Sequence, residues 1–123
     1  MNPIFFYLAA FLVFAWGVAH LFPTKSVLRG FGEITADNRR IIAMEWIVEG
    51  AALIFIGLLV TAVTAVGHNS PVARTVYWLS FAMLNALSLI SLFTGFKVRL
   101  IPFKLCPAMF TGSSLLILLG IVF

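Results

Sequence analysis

Residues 38–66 read NRRIIAMEWIVEGAALIFIGLLVTAVTAV, and from Gly50 to Val66 no charged residue interrupts the run. An apolar stretch of this kind matches the roughly 20 residues that an α-helix needs to cross a bilayer core. Its hydrophobicity is continuous rather than alternating, which excludes the strands of a membrane β-barrel. In lipid the backbone must satisfy its own hydrogen bonds, so the run is helical. Asp37 is the expected N-cap and Gly67 the expected end. Three further runs flank this one. Residues 3–22 form the first, with Asn2 as cap, Pro3 in the first turn and Pro23 as stop. Residues 71–96 form the third, capped by Ser70, and residues 107–123 form the fourth and shortest. The expected fold is all-α: a single transmembrane domain over residues 1–123, built as an integral membrane four-helix bundle.

Composition agrees with that reading. The chain is 63% hydrophobic and 10% charged, whereas soluble domains carry about 25% charged residues. Mean hydropathy is +1.14. The length leaves no room for a soluble catalytic domain, so any chemistry is expected inside the bundle or in its short loops. The single cysteine, Cys106, excludes an intramolecular disulfide and a CxxC redox pair. It reads as a small residue opening the fourth helix beside Pro107. No Lys or Arg precedes the first run and no small-x-small cleavage site follows it, so that run is expected to be a retained helix. The net charge of +4 does not imply nucleic acid. The cations are dispersed beside the hydrophobic segments, as membrane topology requires.

Of the eight Lys and Arg residues, only Arg74 lies on the side of the 67–70 turn. Lys25, Arg29, Arg39, Arg40, Lys97, Arg99 and Lys104 all lie on the other side. The positive-inside rule therefore puts both ends of the sequence on the extracytoplasmic face, as in a multi-pass protein of a bacterial inner membrane. The same asymmetry argues against dual-topology transporters such as the small multidrug exporters. The first connection, residues 23–37, alternates apolar and polar residues and suits a short amphipathic segment in the headgroup region. The third, residues 97–106, mixes Lys97, Arg99 and Lys104 with Leu100, Ile101 and Phe103 and is also expected at the interface.

Three ionisable residues in the apolar runs stand out as catalytic candidates: His20, Glu45 and Glu49. The two glutamates are spaced i, i+4 and share a helix face. His20 is within a turn of its helix's end, at a comparable depth, so the three side chains converge if their faces point inward. Two carboxylates one turn apart repel when both are charged, so one is expected to hold a proton or to share it with its neighbour, with His20 as the third member. Such residues are costly in a membrane helix, roughly 2.5–3.5 kcal/mol on insertion scales. Asn85, Ser88 and Ser91, with Trp16 and Trp46, are the candidate ligand-binding residues. The bland alternative is that the hydroxyls bond their own helices, that the tryptophans anchor at the interface, and that His20 and Glu45 reach the headgroups. Gly50 and Gly57, and Ala82 and Ala86, are expected to permit close helix packing. One His and two Glu make too small a set for a metal site, and neither HxxEH nor HExxH is present, so no metal is expected.

The stretch Phe14-Ala-Trp-Gly-Val-Ala-His20-Leu-Phe-Pro23 sets a small residue and a glycine before a polar residue, with a proline soon after. Glu49-Gly50 leads into a Gly- and Leu-rich run that includes Gly57-Leu58-Leu59. In both features the first half of the chain resembles the DoxX-like membrane proteins. The resemblance implies a four-helix bundle of a kind sometimes associated with quinone-linked or oxidative-stress functions, and it singles out His20 and Glu49 as site residues.

Two functional classes remain open. One is a membrane protein binding a lipid or a quinone in a polar pocket, with the bilayer and a membrane partner subunit or second copy as partners. The other is a membrane enzyme in which His20 and the carboxylates move a proton across a double bond of a lipid. A proton-coupled small transporter is a third reading.

Overall fold

A computed structural model describes residues 1–99 and 101–123 of the chain. Leu100, read above as an interfacial residue, lies outside them. Five helices follow one another: α1 (Pro3–Leu21), α2 (Thr24–Gly30), α3 (Ala36–Gly67), α4 (Pro71–Thr94) and α5 (Ile101–Val122). Among the described residues there is no strand. α1, α3, α4 and α5 are each long and apolar enough to cross a membrane, the architecture of a multi-pass integral membrane protein.

Local signals account for most boundaries. The Asn2 side chain accepts from the Ile4 N–H at 3.1 Å, and Ser70 accepts from the Ala73 N–H at 3.1 Å. Both satisfy N–H groups that a helix start leaves unpaired. The expected cap of α3 is corrected. Thr35, not Asp37, accepts from the Asn38 N–H at 3.2 Å. Asp37 lies in the first turn, where its charge complements the helix dipole and its carboxylate is 3.3 Å from Arg40. The expected amphipathic segment after α1 includes the short helix α2, which packs on α3 through the buried Val27.

The start of α5 is also corrected. The helix begins at Ile101, so Pro107 lies inside it and Lys104 and Cys106 belong to it. A proline removes one helical N–H and leaves the carbonyl four residues earlier, that of Phe103, without its helical partner. Membrane helices tolerate this because neighbouring elements re-satisfy the backbone.

The four long helices form an up-and-down ring. α1 packs most extensively on α3, α4 on α5, and α1 also on α5, while α3 and α4 meet more lightly. The α1–α3 seam is close because glycines line it. A β-carbon at Gly17 would lie 2.8 Å from the Gly50 carbonyl oxygen, and one at Gly57 would lie 2.8 Å from the Ala10 carbonyl oxygen. Gly50 and Gly57, a heptad apart, share one face as their spacing implies, and that face meets α1. Ala82 and Ala86 do not pack inward; both are exposed on α4.

At the end carrying both termini, the Asn2 N–H donates to the Gly120 carbonyl at 3.0 Å. Phe6 stacks on Tyr77 with ring centroids 3.6 Å apart. The Tyr77 hydroxyl is 2.9 Å from the Thr64 hydroxyl, which itself donates to the Val60 carbonyl. Phe6 and Tyr77 are fully buried and fill the interior of this end. Two cavities lie toward the opposite end, where the basic residues gather.

Candidate functional site

His20 lies in the last turn of α1 and is only 5% exposed. Its ring stacks on Trp46 of α3, with centroids 3.8 Å apart and planes 16° from parallel. The Trp46 indole N–H donates to the His20 carbonyl, one of the carbonyls that a helix end leaves unpaired. Trp46 also leans on Phe103 of α5 at 5.4 Å. One tryptophan therefore sets the position of the histidine by both stacking and hydrogen bonding.

His20 Nε2 is 3.3 Å from Glu49 Oε2. The contact does not meet hydrogen-bond geometry, so the buried Nε2 has an acidic side chain beside it but no hydrogen-bond partner. A buried polar atom without a partner is costly and calls for an explanation. The two side chains differ in access: 4% for His20 and 41% for Glu49.

Around them is a cavity of about 350 Å³ lined by His20, Glu49, Ser91, Thr94, Phe103 and Cys106, among others. A second, apolar groove of about 420 Å³ follows the loosely packed seam between α3 and α4. Trp46, Leu53 and Ile56 line it on one side and Met83 and Leu87 on the other. Glu49, Leu87 and Phe103 line both spaces, so the polar cavity and the apolar groove adjoin one another.

The structure thus brings together His20, Glu49, Trp46 and Ser91 from the sequence candidates. Glu45 is exposed and lines the groove beside Glu49, not the His20 cavity. Asn85 donates to the Phe81 carbonyl of its own helix at 2.8 Å. Ser88 joins α4 to α5, donating to the Pro107 carbonyl at 3.1 Å and lying 2.7 Å from the Thr111 hydroxyl. Trp16 packs against the core, one turn before His20, and its buried indole N–H has no hydrogen-bond partner. It approaches the Cys106 thiol without meeting hydrogen-bond geometry.

Phe103 and Cys106 are among the lining residues that sequence reasoning missed. Treating Pro107 as a helix start left both in a connection. Extending the helical period back through Pro107 finds them: Phe103, Cys106, Phe110, Ser113 and Ile117 share one inward face.

Depth follows from helix lengths. α1 has 19 residues, or about 28 Å, close to the roughly 30 Å of a hydrocarbon core. α3 has 32 residues, or about 48 Å, so it projects well past that core at the basic end. Glu49, three turns into α3, is level with the last turn of α1. The site therefore lies near the edge of the apolar layer, where a polar head and an apolar tail part company. Compared with protein-family profiles, curated proteins and solved structures, the chain gives no match.

Proposed function

We propose that the protein binds an amphipathic membrane molecule, a lipid or a quinone, with its polar head against His20 and Glu49 and its tail along the α3–α4 groove. The observation that carries this reading is that a polar cavity and an apolar groove adjoin, with Glu49 in the lining of both. The unpartnered His20 Nε2 supports it, because a ligand oxygen would supply the missing hydrogen bond. The light α3–α4 contact supports entry from the lipid side. The resemblance to DoxX-like proteins agrees with a bundle of this kind. The excess of basic residues at this end supports a cytoplasmic position for the cavity, with both termini on the opposite face.

The test is native mass spectrometry with lipid analysis on protein purified in mild detergent. An amphiphile should be retained by the parent and lost from His20→Phe, which keeps the stack on Trp46 but removes both ring nitrogens. Equal retention by parent and variant would overturn the reading. The 3.3 Å His20–Glu49 pair also supports a second reading, acid/base isomerisation of the bound lipid. Glu49→Gln separates the two: binding should weaken only modestly, whereas an isomerase would lose turnover.

A further inference from the structure

We infer that the occupant is a lipid with an anionic, phosphate-class head, its anion held by Arg99 at the mouth of the cavity. This rests on the binding reading above and specifies its ligand. A third space, of about 350 Å³, is lined by Gly30, Phe31, Val98, Arg99 and Phe103. It shares Val98 and Phe103 with the polar cavity, and Phe31 and Phe103 with the apolar groove. All three spaces therefore meet at Phe103.

Their charges differ in an ordered way. The groove is lined by Glu45 and Glu49, and the polar cavity by Glu49. An anion is repelled from both. Among the described residues, the only Lys or Arg lining any of the three is Arg99, in the mouth. Arg99 is exposed and makes no ion pair among the described residues. Its planar guanidinium matches the geometry of a phosphate oxygen pair. Lys97 and Lys104 are on the same end of the bundle and add to the positive field there. A lipid seated with its tail in the groove would then offer neutral ester or hydroxyl oxygens to His20 and Ser91 and its phosphate to Arg99. Glu49 enforces that order, because it excludes the phosphate from the inner cavity.

The experiment is a titration of the detergent-purified full chain, read by native mass spectrometry. The probes are a single-chain glycerol phosphate lipid and the uncharged monoacylglycerol of the same chain length. One basic residue near the surface contributes about a fivefold preference for an anionic lipid. The phosphate lipid should therefore bind at least about fivefold tighter. Arg99→Gln should cut the preference by about fivefold, while Arg74→Gln, at the other end, should leave it intact; an unchanged preference in Arg99→Gln would overturn the inference. Excess inorganic phosphate should not displace the bound lipid; displacement would mean a free-phosphate site and would overturn the inference. Equal binding of both lipids, still lost in His20→Phe, would overturn the anionic head but leave the binding site standing. Binding of neither lipid would overturn both.

Discussion

Gly17→Ala tests the seam that holds His20 against α3. The added methyl would lie 2.8 Å from the Gly50 carbonyl oxygen, 2.8 Å from the Ile54 nitrogen and 2.9 Å from the Leu53 β-carbon. Ordinary contacts begin near 3.4 Å, so the two helices must part by about 0.6 Å. Two of the three opposing atoms are helical backbone and cannot rotate aside. Overpacking of this kind costs roughly 1–3 kcal/mol. The better helix propensity of alanine, about 1 kcal/mol at most, offsets part of it. Gly112→Ala is the matched control, because nothing lies within 4 Å of its added methyl. Gly50→Ala is intermediate: its nearest atom, the Leu21 δ-carbon at 2.6 Å, is a movable side-chain tip, and the Gly17 carbonyl oxygen follows at 3.1 Å. Denaturant titration in detergent, followed by circular dichroism, should rank stability as Gly112→Ala at or above the parent, then Gly50→Ala, then Gly17→Ala. His20 is one turn beyond Gly17, so Gly17→Ala should also weaken amphiphile retention. Equal stability of Gly17→Ala and Gly112→Ala would refute the reasoning.

Trp46→Phe keeps an aromatic ring on His20 but removes the hydrogen bond to the His20 carbonyl. It should cost about 0.5–1.5 kcal/mol in the same titration. Ser88→Ala removes the α4–α5 hydrogen bonds to Pro107 and Thr111, a loss of about 0.6 kcal/mol and at most about 1.7. Because Ser88 does not line the cavity, ligand retention measured by native mass spectrometry should not change. In a Cys106→Ala background, a cysteine in residues 24–30 should be shielded from an impermeant thiol reagent in intact cells, and one at Asn69 should react. The reverse pattern would invert the proposed orientation.

Sequence by itself determined the number of spans, because bilayer thickness imposes a length that an apolar run reports directly. It determined the caps Asn2 and Ser70, whose hydrogen bonds reach only two or three residues along the chain. It also marked one face of α3, since two glycines a heptad apart must lie on the same side. It did not determine what that face meets. In a membrane bundle the lipid-facing and core-facing residues are similarly apolar, so hydrophobic periodicity does not reveal how each helix is rotated. Glu45 and Glu49 were equivalent by residue type and shared a helix face, and only the family resemblance preferred Glu49. The packing of α1 on α3 separates them physically, bringing Glu49 to His20 and leaving Glu45 exposed in the groove. Likewise Pro107 looked like a boundary because proline suits the first turn of a helix and is disfavoured in its interior. The tertiary structure carried α5 through it and so placed Phe103 and Cys106 in the cavity wall. Spans and caps follow from local chemistry and solvent thickness, whereas a site shared by α1, α3, α4 and α5 depends on helix rotations that only their mutual packing sets.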